Sequence, residues 1–378
     1  MRTLVIAFVI AMGLLGTAGV AHAYPQFQLV RDQTCTGCHI SPSGGGMLNE
    51  NGLNAAEAMS QLDHSAKFLY KVNTPKWLQL SGDLRAVTGF IQTPEQAFVA
   101  FPMQIETNVR FVFGAFSLYA TPGLRPTTEG NAAATFAWAR EHYVMWQQKP
   151  EESEGLYVRL GRFMPTFGLR FAEHPMYTRR FGGTQLFSET YGLGVAYVKP
   201  RYEVHATGFI ADPIIDPVEN ANGAALYAET RIDPRTALGV EGMVKVTPDL
   251  DKQYRVGVTA KKLLGKDLLL QGELQFVNTL VENKRNGAGT GAPTQLVGSL
   301  VLSKPFGKND QFLVDLGIGH FDSNLRIRDL DRDCVDLNVH WFVDSHVELI
   351  LNSRVEMLAF GNGGPNAGYA LLQVHFRL

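Results

Sequence analysis

From Trp77 to the C-terminus the chain alternates apolar and polar residues with a period of two, and helical spacing is scarce. Leu78, Leu80, Leu84, Ala86 and Phe90 share one parity, and Gln79, Ser81, Asp83 and Arg85 the other. Met103, Ile105, Val109, Phe111 and Phe113 alternate with Gln104, Glu106, Asn108 and Arg110. The same pattern returns in Val335 to Trp341, in Val347 to Val355, and in Ala370 to Leu378. A period of two places the two sets on opposite faces of a strand. A soluble sandwich would turn the polar set outward. A membrane barrel turns it into a lumen and gives the apolar set to lipid.

The connections separate these readings. Short links fall near Gly114, Lys199-Pro200-Arg201, Asp233-Pro234-Arg235, Leu264-Gly265-Lys266 and Val343-Asp344-Ser345. Between them lie longer polar or glycine-rich links over 92–100, 121–133, 164–190, 212–222, 279–293 and 359–367. Alternating short turns and long loops are the pattern of bacterial outer-membrane barrels, and the segmentation predicts an all-β, transmembrane antiparallel barrel of about 16 strands over 77–378. Both barrel ends then face the periplasm. No apolar run in this region is long enough for a spanning helix, so only a closed barrel could cross the bilayer. Two features depart from the pattern. In 134–146, Arg140 and His142 fall on the lipid-facing parity, and the final amphipathic strand carries Phe376 but ends in Leu378.

Residues 1–23 read as a secretory signal: Arg2, an apolar core from Leu4 to Leu15, and Ala21-His22-Ala23 as a cleavage site. Residues 24–76 form a separate N-terminal segment that carries Cys35-Thr36-Gly37-Cys38-His39. Cys-x-x-Cys-His is the attachment signature of c-type haem. Two thiols bond the porphyrin edge and the adjacent imidazole reaches the iron. The expectation is one covalent haem c on Cys35, Cys38 and His39, with His39 as proximal ligand. A Cys35–Cys38 disulfide or another metal is the alternative. Met59 and His64 are the first candidates for the distal ligand, with Met47, a barrel histidine such as His174, or an open site behind them.

Pro42 and Gly44-Gly45-Gly46 predict turns close to the porphyrin edge, and Asn54 is placed to cap a helix over 55–62. A segment this short buries little apolar surface, so the barrel is expected to supply the second wall of the haem pocket. The loop 164–190 holds Phe167, Arg170, Phe171, His174, Tyr177, Arg179, Arg180 and Phe181. It is read either as a plug whose arginines meet haem propionates, or as a cover packed on the barrel rim.

The 34 Lys and Arg nearly balance 36 Asp and Glu, which argues against a nucleic-acid partner. Asp83, Arg85, Glu106, Arg110, Glu273, Asp336, Glu348 and Arg354 are expected in the lumen as mutual pairs, and Cys334 as a structural residue facing it. There is no nucleophile elbow, HExxH or phosphate-binding loop.

A leader, one Cys35–His39 motif near the mature start, and a barrel to the end resemble the fused cytochrome–porins of the bacterial outer membrane. The best-known of these belong to iron-oxidising bacteria. Leu48-Asn49 and Gly52 after Pro42 fit that family's short post-haem pattern, whereas the triple glycine departs from it. The resemblance implies electron transfer across the outer membrane, with a periplasmic cytochrome or other redox carrier on one side. Extracellular Fe(II) or another donor or acceptor would stand on the other. Such a conduit requires the segment around Cys35 to Gly52 to lie in the lumen. A porin or small-molecule channel with a haem-bearing plug is the second reading and requires an open lumen. A haem peroxidase is the third, without a distal acid or base to support it.

Overall fold

The computed structural model describes residues 26–30, 33–93, 95–124, 137–173, 175–185, 188–212, 221–247, 252–280, 293–327, 331–358 and 367–378. The expected signal, the loop tips over 125–136 and 281–292, and His174 lie outside them. Sixteen strands run through the described residues. They are β1 Leu78–Thr93, β2 Glu95–Phe113, β3 Phe116–Leu124, β4 Ala137–Gln147, β5 Gly155–Phe163 and β6 Thr190–Lys199. Next come β7 Tyr202–Ile210, β8 Asn222–Asp233, β9 Thr236–Val246, β10 Lys252–Leu264 and β11 Leu268–Leu280. The last are β12 Thr294–Phe306, β13 Phe312–Asp322, β14 Asp331–Phe342, β15 Val347–Leu358 and β16 Ala367–Arg377. Each pairs antiparallel with its neighbours in the chain, and β1 also pairs with β16 through Asp83↔Arg377 to Gln92↔Gly368. The sheet is therefore a closed barrel without a free edge, which leaves no unpaired strand facing lipid.

Alternation sorts the two faces as the sequence pattern requires. Gln271, Glu273 and Gln275 of β11 are buried, while the alternate residues Leu274 and Phe276 are exposed. Phe98 and Leu160 are each 64 % exposed, which suits lipid and not water. Aromatic pairs cluster beside the short turns: Trp77 stacks on Phe111 at 6.1 Å and Phe312 on Trp341 at 5.8 Å. Such rings occupy the interfacial girdle of a membrane barrel.

Three local expectations are corrected. The polar stretch 92–100 is no loop: β1 and β2 extend into one long hairpin paired to Thr93↔Glu95. Phe90 meets Phe98 edge-to-face at 5.5 Å, and this cross-strand contact outweighs the loop-like composition. In β4 the register shifts opposite Ala120 to Pro122, so that two residues, Arg140 and Glu141, face Thr121 alone. Such a bulge re-aims side chains. It turns Arg140 into the lumen, onto Glu106 at 2.7 Å, and leaves His142 bonded to Tyr191 at 2.8 Å. The N-terminal helix runs over Glu50–Met59, and its cap is Asn49, whose side chain accepts the Gly52 amide at 2.9 Å. Asn54 lies inside that helix.

The N-terminal segment sits inside the barrel, at the end that carries the short turns. Gln26 donates to Asp315 at 2.9 Å, Lys261 donates to Gln28, and Arg159 donates to Ser41 at 3.0 Å. Phe27 and Met59 pack with Leu313 and Phe342, and Leu29 with Ala237 and Leu269. The segment is latched to the last short turn, where the amides of Gln61 and Leu62 donate to Phe342 and Val343 at 3.0 and 3.1 Å.

The loop 164–190 folds inward from the opposite end. Phe167 packs on Phe209, Ala225 and Met243, and Tyr177 on Val277, Val297, Phe321 and Cys334. Apolar burial on the inner wall explains why so aromatic a loop is not left in solvent. Cys334 is a buried packing residue here.

Candidate functional site

The cysteine pair is built on one tight turn. Cys35–Gly37 form a 3-10 turn, and the amides of Cys38 and His39 both donate to the Cys35 carbonyl, at 3.3 and 3.0 Å. The chain then loops out over 40–47 and returns: Ile40 donates to Met47 at 3.1 Å and His39 bridges to Leu48. Gly44, Gly45 and Gly46 all hold positive φ, at 79°, 74° and 59°, which explains the triple glycine. A Cβ on Gly44 would stand 3.3 Å from Cys35 Sγ. Asn49 and Asn51 reach back to the turn, donating to the carbonyls of Thr36 at 2.9 Å and Gly37 at 2.8 Å. Gly52 packs so tightly that a Cβ there would meet the Cys38 carbonyl oxygen at 2.2 Å. The residues after the motif thus serve to fix the turn.

Cys35, Cys38 and His39 border one cavity of about 820 Å³ inside the barrel. The N-terminal segment floors it with Phe27, Met47 and Leu53, and the inward loop roofs it with Phe167, Arg170 and Arg179. Arg85 and Arg140 stand on the side wall. This donor set fits a c-type haem. Two thiols and an imidazole lie on one turn, apolar faces flank the space, and several guanidinium groups suit propionates. Arg85 Nε is buried without a partner among the described residues. Arg140 is neutralised bidentately by Glu106, and Arg170 by a single contact with Glu203.

Burial governs the charges around the motif. Cys35 accepts from Gln28 Nε2 at 2.9 Å, and loss of water pushes its thiol up to about 11. Burial works against the charge on Arg170, but Cys35 and Glu203 beside it more than compensate and raise it.

The first distal-ligand candidates lie elsewhere. Met59 is fully buried in the contact with Phe27, Leu313 and Phe342, and His64 is bonded to Asp344 at the last short turn. Neither borders the cavity. The helix that carries Met59 faces the barrel wall, and composition alone gives no signal of that direction. Met47 does border the cavity, packed against Tyr119, Tyr143, Met145 and Tyr157. Arg85 and Gln28 are legible as lumen or segment residues but not as neighbours of the cavity, and inward parity is the signal that singles out Arg85; Arg140 carries the opposite parity and only the bulge in β4 brings it inside.

No protein-family model matches the chain, and no curated protein matches it in sequence. Its fold is similar to solved outer-membrane barrels. In vitro folded OmpT of Vibrio cholerae, in its trimer form, superposes with TM-score 0.59 at 13% identity, covering 80% of this chain and 99% of that one. The anion-selective porin from Comamonas acidovorans gives TM-score 0.56 at 13% identity, with 80% and 99% covered. OmpF of Salmonella typhi, solved in complex with daunomycin, gives 0.59 at 10% identity, with 80% and 97% covered. A sixteen-stranded closed barrel with an apolar outer belt is a protein of the bacterial outer membrane, in contact with its lipid.

Proposed function

We propose that the chain is an outer-membrane electron-transfer protein holding one c-type haem inside its barrel. The observation that carries this reading is the single cavity bordered at once by both cysteines, by His39 and by inward-facing arginines of the wall and loop. Cys35 and Cys38 would attach the porphyrin, His39 would be the proximal ligand, and Met47, which borders the same cavity, would be the candidate distal one. When bound, the haem supplies a one-electron couple. The chain's own residues do the rest. The Cys35–Gly37 turn orients the thiols, and Asn49 and Asn51 hold that turn rigid. Phe167 and the N-terminal segment exclude water, and Arg85, whose Nε has no partner among the described residues, would balance the negative edge. A redox centre held in that cavity would exchange electrons with a periplasmic cytochrome or carrier on one side. On the other, extracellular Fe(II) or another donor or acceptor is the counterpart, as in the fused cytochrome–porins that the sequence resembles.

The channel reading is favoured by the comparisons, whose members are named porins and channels. The lumen argues against an open pore of that kind, because the N-terminal segment and the inward loop both occupy it. Two measurements separate the readings. Protein produced with a cytochrome c maturation system should show c-type absorbance that survives denaturation and is reduced by Fe(II), with low conductance in planar bilayers. Absence of haem absorbance, with porin-like conductance, would overturn the conduit. Replacing Cys35 and Cys38 with serine should remove the covalent haem and leave a folded barrel.

A further inference from the structure

Below the loop, a second group of side chains converges on the inner wall. His340 of β14 and Asp315 of β13 project inward from adjacent strands, and Glu173 comes down from the inward loop to meet them. His340 Nε2 lies 3.5 Å from Glu173 Oε1 and 3.9 Å from Asp315 Oδ2, and the three donor atoms all lie within 4.8 Å of one another. Two ligands held about 2.1 Å from one metal at a tetrahedral angle stand about 3.4 Å apart, so His340 and Glu173 are already at a chelating separation and Asp315 needs only a small side-chain shift to join them. We propose that Glu173, Asp315 and His340 form a binding site for one divalent first-row transition-metal ion.

The surroundings favour a ligand set over an ordinary ion pair. His340 Nδ1 donates to Glu348 Oε1 at 2.8 Å, which turns Nε2 toward the two carboxylates. A carboxylate behind the imidazole is the usual outer partner of a metal-bound histidine. Glu348 is itself fixed by His375 at 3.0 Å, and His375 by Asp83 at 2.9 Å. Gln26 orients Asp315 by donating to Oδ2 at 2.9 Å. Asp315 is 2 % exposed, yet its Oδ1 has no hydrogen-bond partner among the described residues, and neither has Oε1 of Gln26. Buried acceptors without donors are costly unless a cation meets them. One imidazole with two carboxylates suits Fe(II), Mn(II), Co(II) or Zn(II) rather than calcium or magnesium, which prefer oxygen alone. The site stands on its own residues and does not depend on the haem reading.

The test is equilibrium dialysis of the full-length, detergent-purified protein against Co(II), with bound cobalt measured by elemental analysis. The expected result is one ion per chain. Glu173→Gln removes a ligand from the loop without touching the barrel wall and should abolish that equivalent. Glu348→Gln should weaken binding about 10- to 100-fold, as loss of an outer partner does. His205→Gln, at a buried lumen histidine remote from the triad, should bind as the parent does. Heat-modifiable migration on gels verifies that each variant is folded. No bound cobalt in the parent, or equal binding by the parent and folded Glu173→Gln, would overturn the proposal.

Discussion

Arg159 of β5 donates through Nη1 to the Ser41 hydroxyl at 3.0 Å, across the lumen wall and 118 residues along the chain. Ser41 is two residues past His39. This one bond fixes the loop beyond the cysteine turn to the barrel, while the arginine stacks over Phe163 at 4.3 Å. The wall and the segment are therefore one structure, and variants of either should be felt at the other.

Arg159→Ala should loosen that loop while leaving the strands paired. Losing a buried hydrogen bond from a charged donor costs about 1.5–3 kcal/mol. The expected outcome is faster proteolysis within residues 40–47 and unchanged barrel migration on gels. Equal protease sensitivity of variant and parent would refute the coupling.

Gly52→Ala and Gly114→Ala make an informative pair. The added Cβ at Gly52 would strike the Cys38 carbonyl oxygen at 2.2 Å, whereas at Gly114 nothing lies within 4 Å. Gly114 has φ 59°, so alanine there costs only the left-handed strain of about 1–2 kcal/mol. Gly52→Ala should displace the cysteine turn and sharply lower the yield of covalent haem, and Gly114→Ala should not. Haem stain per folded barrel measures both.

Met59→Leu conserves volume in the contact with Phe27, Leu313 and Phe342, and such swaps cost under about 1.5 kcal/mol. The visible spectrum of the haem-loaded protein should be unchanged. Met47→Leu should instead alter the Soret and α bands and shift the midpoint potential. A spectrum altered by Met59→Leu and not by Met47→Leu would reverse the assignment of the distal ligand.

Asp344 gives the latch its pH dependence. Burial opposes ionisation of its carboxyl, but the His346 amide and the His64 ring outweigh burial and hold it below the usual carboxylate range. A depressed acid stabilises the folded form above its unfolded value of about 3.9 and loses that contribution as pH falls through the lower folded value. Amides of residues 61–64 should thus stay protected from hydrogen exchange at pH 5 and lose protection below about pH 4. Asp344→Asn should lose that protection at both pH values.

Burial of Cys35 predicts slow alkylation in the haem-free protein. With the thiol raised to about 11, the thiolate that reacts is scarce at pH 8. Iodoacetamide labelling at Cys35 should rise steeply only as pH approaches that value, and denatured protein should label at pH 8. Rapid labelling of the folded haem-free chain at pH 8 would contradict the burial.

The barrel, the alternation that sorts lumen from lipid, and the Cys35–His39 motif can all be read from the order of residues alone. All three are local signals. A period of two needs only neighbouring residues, and the motif fits within five positions. Loop length likewise marked 164–190 as exceptional, because its phenylalanines and Tyr177 had to be buried somewhere. What composition misread was decided by contacts across the chain. Phe90 against Phe98 turned a loop-like stretch into hairpin, and a bulge opposite Thr121 brought Arg140 inside. Which residues share a site follows from contacts made in the folded chain. Closure of β1 on β16 makes every inward side chain a neighbour of others far away in sequence. It is that closure, with the segment entering from one end and the loop from the other, that brings Arg85 and Arg140 to the cavity the cysteine turn borders. The same closure sets Glu173 beside Asp315 and His340, a meeting of loop and wall that no spacing along the chain encodes.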